Sequence, residues 1–352
     1  MHKLVLVIAA ASSVLAQTPE VKTAEQVYKN ITALKGTPAD QLMPAMQFIS
    51  ASLGVGCDAC HVQGKFEADD KGAKKTAREM IAMQNAINKD AFHGRLQVTC
   101  NTCHRGSLRP VAVPPVLEAD APAPPAAPMT PPAPGPTADQ IIERYVTAVG
   151  GAEAIQKITS RIMKGNILVN GSSTPIEVLT KAPNKRISIA HDPNSESFTA
   201  FDGTAGWFGN TGRPAREMSA AESASASIDA EFALPLRLKE IFPQLRRGRP
   251  ETVNGAECEV LNGTAPGKPA VRLYFDKNTG LLTRMMRFSD TPVGRMPVQI
   301  DYSDYKTLAD VKIPLRWTLS RPSGRFTIQI DDVKINAPID DARFARPAGD
   351  TK

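Results

Sequence analysis

No apolar run in this 352-residue chain is long enough to cross a bilayer: LVLVIAAASSVLA, from Leu4 to Ala16, has 13 residues where a spanning helix needs about 20. Its position directly after Met1-His2-Lys3, with small residues Val14 and Ala16 before Gln17, predicts an export signal over residues 1–16. No cysteine follows that cleavage point, so a bacterial lipid anchor there has no support. The mature chain is therefore expected to be soluble and extracytoplasmic, in the periplasm or an equivalent space. Blocks of one charge are lacking too. The formal charge of +6 divides into +1 for Lys3, +3 for residues 17–109, −2 for 110–136 and +4 beyond, with basic residues interspersed among acidic ones. That pattern is a solvated mixed surface and argues against nucleic acid as a partner.

Cysteine is scarce, and its placement is informative. Of five cysteines, Cys258 stands alone, while Cys57, Cys60, Cys100 and Cys103 form two pairs in GVGCDACHVQG and VTCNTCHRGSL, 43 residues apart. Each pair is followed at once by a histidine, His61 and His104. Export makes disulfides the first expectation, but at five cysteines and five histidines one chance Cys-x-x-Cys-His is expected about 0.001 times. Two thiols at this spacing add across the two vinyl groups of a haem, and the adjacent imidazole is then held where it can bind iron. A four-sulfur zinc site would leave both histidines unexplained, and a thioredoxin-type pair needs a βαβ surround that is absent. Two covalent c-type haems are expected.

A low-spin electron carrier needs a sixth iron ligand, best presented from a rigid helix. In GTPADQLMPAMQFISASLGVGC, Thr37 is the expected N-cap, Pro38 the first helical residue and Gly54 the C-terminal cap, with Pro44 predicting a kink or late restart. Met46, Ile49 and Leu53 share one face of that helix. In DDKGAKKTAREMIAMQNAINKD, Ala73, Ala77, Met80 and Ile87 form the apolar stripe of a second helix. The order helix with methionine, loop, Cys-x-x-Cys-His thus occurs twice, as a degenerate repeat. Spacing alone leaves Met43, Met46, Met80, Met83 and His93 all open as ligands.

Residues from about 25 to 110, carried by MQFISASLGVGCDACH, AREMIAMQNAIN and VTCNTCHRG, resemble the cytochrome subunit of the photosynthetic reaction centre, a multihaem c-type family built of repeated helix, turn and Cys-x-x-Cys-His. The resemblance implies that Met46 and Met80 are the axial methionines opposite His61 and His104, with Met43, Met83 and His93 as lesser alternatives. His93 falls near a histidine that in the family serves a further haem; this chain has two motifs where four are usual. No residue here identifies a photosynthetic partner.

Eleven of the 27 residues from Pro110 to Pro136 are proline, a composition that cannot build a core and favours extended polyproline II, predicting a linker that could hold two domains as much as roughly 80 Å apart. Beyond it, TADQIIERYVTAVGGAEAIQKI predicts two short helices broken at Gly150-Gly151, and about ten alternating segments follow, from RIMKGNILVNG to RFTIQIDDVKIN, with DKNTG as a hairpin turn and one helix near SIDAEFALPLRLKEIFPQL. YVTAVGGAEAIQKI, FDGTAGWF, YFDKNTGLLTRMMRF and YSDYK are similar to periplasmic lipoprotein-sorting and lipid-carrier domains, whose half-barrel wraps an apolar cavity; the resemblance implies a hydrophobic ligand or an anchoring surface. Trp207 is expected in the core, Cys258 as a buried thiol and His191 facing solvent.

The expected fold is thus multidomain: an all-α dihaem c-type cytochrome domain at 17–109, a linker at 110–136, and an α+β domain at 137–352 with a curved antiparallel sheet forming an open half-barrel. The expected function is electron transfer between redox protein partners, among them membrane-associated electron-transfer complexes, without enzymatic turnover. A dihaem peroxidase-like enzyme, or a hydrophobic-ligand protein with an accessory haem domain, is the alternative. No distal acid–base pair is visible, and the two helix methionines argue for saturated irons.

Overall fold

The computed structural model describes residues 21–110 and 135–346. The expected export signal and all but the ends of the proline-rich linker lie outside the described residues.

The N-terminal part is helical, with α1 at Ala24–Val27, α2 at Ala39–Leu53, α3 at Gly72–Phe92 and α4 at Cys100–His104. Helix α2 starts one residue later than its sequence predicts. Pro38 is the flanking residue, with ψ 133°, because Thr23 bridges to it and Ala39 N donates to Lys22 O at 2.9 Å, holding the backbone extended up to that point. The helix runs through Pro44 without a late restart: Leu42, Ala45, Phe48 and Ser52 on both sides of Pro44 are buried along one face, and that packing outweighs one missing donor. The predicted stripe of Met46, Ile49 and Leu53 flanks this face and is half-buried. In α3 the departure is larger. Its buried residues are Ile81, Gln84 and Asn88, while Ala73 and Met80 are exposed and Ala77 and Ile87 half-buried.

The C-terminal part is a large open antiparallel sheet with two pairs of helices. Helices α5 (Ala138–Ala148) and α6 (Ala152–Lys157) lead into strands β1 (Ser160–Val169), β2 (Ser172–Lys181), β3 (Lys185–Asp192), β4 (Ser195–Phe201), β5 (Gly206–Asn210) and β6 (Arg216–Glu217). Helices α7 (Ala220–Ala230) and α8 (Leu234–Ile241) interrupt, then β7 (Gln244–Arg247), β8 (Glu251–Val253), β9 (Ala256–Thr264), β10 (Ala270–Asp276), β11 (Leu282–Thr291), β12 (Gly294–Leu308), β13 (Val311–Arg321) and β14 (Gly324–Ile335) complete the sheet. Strand order is β6-β5-β4-β3-β2-β1-β14-β13-β12-β11-β10-β9-β7, with β8 paired to β9. The ten predicted strands are all present. The four additional ones, β5 to β8, have five residues or fewer, too short for alternation to register. The single helix expected near residue 235 is two, because Pro235 sits in the first turn of α8, where proline starts a helix instead of continuing one.

Alternation along the strands sorts the apolar residues onto two faces. One face, with Met163, Val178, Leu273, Met285 and Leu315, takes Ile141, Tyr145, Ile228 and Leu238 from the helices into the main core. The other carries Trp207 with Leu179, Ile187, Ala200, Ile339 and Phe344. Asp276 closes the predicted DKNTG turn, its Oδ1 accepting from the backbone of Asn278 and Thr279 at 2.9 and 2.6 Å, with Gly280 at φ +74°. Cys258 is fully buried and His191 is 40% exposed, its Nδ1 2.7 Å from Glu196 Oε1, both as expected.

The helical part and the sheet touch. Phe48 and Leu42 of α2 share one apolar cluster with Val293 of the β11–β12 turn and Met296 of β12, and Gln84 Nε2 donates to Val293 O at 3.4 Å.

Candidate haem-binding site

The two motifs adopt different local structures. Cys57–Ala59 form a short 3₁₀ turn in which Cys60 N and His61 N both donate to Cys57 O, at 3.3 and 3.0 Å, so both cysteines and the histidine lie within one turn. The second motif is helical: Cys100–His104 is α4, started by a capping box between Thr99 and Thr102. All four motif cysteines are free thiols, and among the described residues no three histidine, cysteine or carboxylate side chains gather as a metal site. The four-sulfur arrangement that zinc would need is therefore not formed. Burial pushes the Cys60 and Cys100 thiols up.

Each histidine is oriented by its own loop. His61 Nδ1 lies 2.9 Å from Phe66 O, and His104 Nδ1 lies 3.0 Å from Ser107 O. A carbonyl can only accept, so Nδ1 carries the proton in both rings and Nε2 is the free lone pair, the arrangement of a metal-bound histidine. Around the motifs, large apolar side chains stand in solvent: Phe66 at 57% exposure, Leu108 at 62%, Met43 at 54%, Met83 at 48% and Met80 at 38%. Paired thiols, a histidine with Nε2 free and uncovered apolar surface together fit a covalently attached haem.

The structure places Met46 and Met80 differently. Met46 is half-buried and packs, like Cys100, against the cluster of Leu42, Ala45 and Phe48. Met80 stands in the outward stripe of α3, with Met83 less covered still. His93 is the exposed C-cap of α3 at φ 54°, its N–H donating to Asn88 O.

Supporting residues that periodicity does not reveal are polar and lie on inner faces. Asn88 Nδ2 donates to Val98 O at 2.7 Å and its Oδ1 accepts from Gln97 N and Val98 N at 2.9 Å each, fixing the loop that leads into Cys100. Gln84 accepts from Cys100 Sγ at 3.3 Å. Lys74 Nζ donates to Phe66 O and Glu67 O at 3.0 Å each and to Ala68 O at 2.9 Å, so it shares with His61 the Phe66 carbonyl. Asp69 ties this loop to α3 through Arg78, 2.9 Å, and Lys74, 3.1 Å, and to Asn30 at 3.0 Å. The lysine spacing alone reads as a solvated face; only the fold shows its carbonyl partners.

Those bonds, that of Arg78 foremost, hold the Asp69 carboxyl well below its usual range. A depressed carboxylate contributes stability that is complete above its unfolded pKa, about 4, and is lost as pH falls toward the folded value. The helical part is thus expected to lose thermal stability below about pH 4, with Asp69→Asn flattening that dependence and lowering the neutral-pH melting point. A variant with an unchanged acid limb would show that Asp69 is not the group responsible.

The sheet overlaps a DUF1329 family protein from Desulfovibrio piger at TM-score 0.43 and 13% identity over 59% of this chain and 96% of that one. A LolA superfamily protein from Nitrosomonas europaea overlaps at TM-score 0.42 and 14% identity over 60% and 98%. On the N-terminal side, the photosynthetic reaction center cytochrome c subunit of Thermochromatium tepidum is 35% identical over 91 residues, 25% of this chain and 22% of that protein. Cytochrome c-554 of Chloroflexus aurantiacus is 32% identical over 85 residues, 22% of this chain and 20% of that one. The chain thus spans about a fifth of the length of these curated relatives. The family model described as photosynthetic reaction centre cytochrome c subunit matches residues 6–125, so the part of the chain that carries both Cys-x-x-Cys-His motifs is similar to that family of c-type cytochromes.

Proposed function

We propose that the chain is an exported c-type cytochrome that carries two haems and passes electrons between redox protein partners, with residues 17–109 as the haem domain and 137–352 as a second, sheet-built domain. The observation that carries this reading is that both motif histidines, each directly after a Cys-x-x-Cys pair, engage Nδ1 with a backbone carbonyl and so keep Nε2 as the free lone pair. Cys57 and Cys60 would hold one haem and Cys100 and Cys103 the other, with His61 and His104 as proximal ligands and Met46 and Met80 as the distal ones. The haem supplies one-electron chemistry at its iron; the chain supplies fixed ligands, a covalent anchor and apolar cover that raise the potential relative to bis-histidine ligation.

The mass of the purified holoprotein should exceed that of the processed chain by two haems, and its oxidised spectrum should carry the weak methionine–sulfur band. Met46→Ala and Met80→Ala are each expected to turn one haem high-spin while both stay covalently attached, with a fall in that haem's potential. If Met83→Ala produces this change and Met80→Ala does not, the second distal ligand is Met83. A five-coordinate high-spin iron in the unmodified protein, with peroxide turnover, would instead identify a redox enzyme.

A further inference from the structure

The inner face of α3 carries a bridge between the second motif and the sheet. Gln84, 4% exposed, lies on that face with Ile81 and Asn88. Its Nε2 donates to Val293 O at 3.4 Å, and its Oε1 accepts from Cys100 Sγ at 3.3 Å. A backbone carbonyl only accepts, so the amide nitrogen has to face Val293 and the amide oxygen the sulfur. Both ends of the bridge are held. Val293 is fully buried in the β11–β12 turn, which Thr291 closes by donating Oγ1 to Gly294 O at 2.6 Å and accepting from Gly294 N at 3.1 Å. Cys100 follows the loop that Asn88 fixes. The other three motif cysteines differ: among the described residues none of their sulfurs makes a hydrogen bond, and Cys57 and Cys103 are exposed.

Attachment of a haem at the second motif changes this bridge. The Cys100 thiol adds across a vinyl group: its Sγ–H bond breaks, an Sγ–C bond forms to one vinyl carbon, and the hydrogen passes to the other, with no oxidant or reductant consumed. The thioether sulfur has no proton to donate. Gln84 Oε1 accepts from no other group among the described residues, so it is left buried without a donor. Turning the amide over offers no relief, because Oε1 would then face Val293 O, acceptor against acceptor. The negative end of the Gln84 carbonyl dipole therefore stays against the sulfur and the haem edge bonded to it, away from water. In such a low-dielectric setting a fixed dipole acts strongly, and its negative end favours the oxidised, more positive iron.

We infer that Gln84, clamped from the sheet by Val293, is a positioning residue that sets the potential of the second haem below that of the first. Electrons then run downhill from the second haem to the first, and the sheet part acts on that direction through one backbone carbonyl. Axial ligation does not separate the two haems, since a histidine and a methionine are proposed for each; hydrogen bonding and burial at the haem edge are the levers that differ. The inference rests on the dihaem reading proposed above.

Redox titration of the purified holoprotein, followed at the haem absorption, should give two midpoints. The second haem is identified as the one missing from a variant that combines Cys100→Ser with Cys103→Ser, and its midpoint should be the lower. Gln84→Leu removes the dipole and should shift that midpoint upward by about tenfold in the reduction equilibrium, or ~59 mV for one electron, with the first haem unchanged. Gln84→Met, closer in length to the parent side chain, should give the same shift if Gln84→Leu fails to fold. A merely structural role would move both midpoints or neither. The inference is overturned if the second haem has the higher midpoint, if a folded variant leaves its midpoint in place, or if both haems shift alike. A holoprotein mass showing fewer than two haems would overturn the dihaem reading and this inference with it, whereas two haems with an unmoved midpoint would overturn this inference alone.

Discussion

Alanine at Gly54 is expected to destabilise the helical part by about 3 kcal/mol while the sheet keeps its own melting transition. Two costs combine. Gly54 ends α2 in the left-handed region at φ 66°, which costs a residue with a side chain about 1 kcal/mol. A Cβ there would also lie 2.1 Å from Gly106 O, a backbone atom that cannot swing away. Gly106 is itself bound to α2, its N–H donating to Ser52 O at 2.8 Å. The end of the helix before the first motif is thereby locked to the loop after the second, and one methyl group disturbs both. Gly106→Ala separates the two costs: its φ is +83° but its Cβ direction is open, so it should lose only about 1 kcal/mol. Denaturant titration followed through the haem absorption reads both values, and equal losses for the two variants would mean that the Gly54–Gly106 contact does not form.

That contact marks the boundary of what the sequence makes legible. Gly54 as a helix cap is readable because a left-handed cap is a local demand on one residue. Its meeting with Gly106 is not, since nothing in either glycine's neighbours announces a partner 52 positions away. The Cys-x-x-Cys-His motifs are legible for the same local reason: the two thioether bonds and one iron bond proposed for each need their donors within five residues. The α3 stripe of Ala73, Ala77, Met80 and Ile87 is a correct helical period on the less covered side, because the inner side is filled by Gln84 and Asn88. Hydrophobic periodicity reads burial as apolar, so a helix that buries amides to tie down loops is seen reversed.

Phe48→Ala is expected to cost the helical part about 3–5 kcal/mol and to release it from the sheet. Phe48 is 9% exposed, and the cluster it completes is small: Ala24, Leu34, Leu42, Ala45 and Ile81 from the helical part, Val293 and Met296 from the β11–β12 hairpin. Truncation empties the middle of a core that has few other large side chains, so the cavity term is hard to relieve by collapse. The same ring fills the space above Gly294, where a Cβ would come within 2.1 Å of its Cζ. Gly294→Val therefore attacks the docking from the other side, leaving the helical residues untouched. Hydrogen exchange at Val293 to Met296 should quicken in both variants, whereas the loss of helical stability should be large only for Phe48→Ala. A double-mutant cycle between Phe48→Ala and Met296→Ala should give a coupling energy of about 1 kcal/mol or more, as residues in contact do. Zero coupling would mean that the helical part and the sheet do not share this core in solution. Non-zero coupling would tie the span between them to a contact on α2 itself, so that the proline-rich segment bridges two docked parts and not two parts held at its full reach.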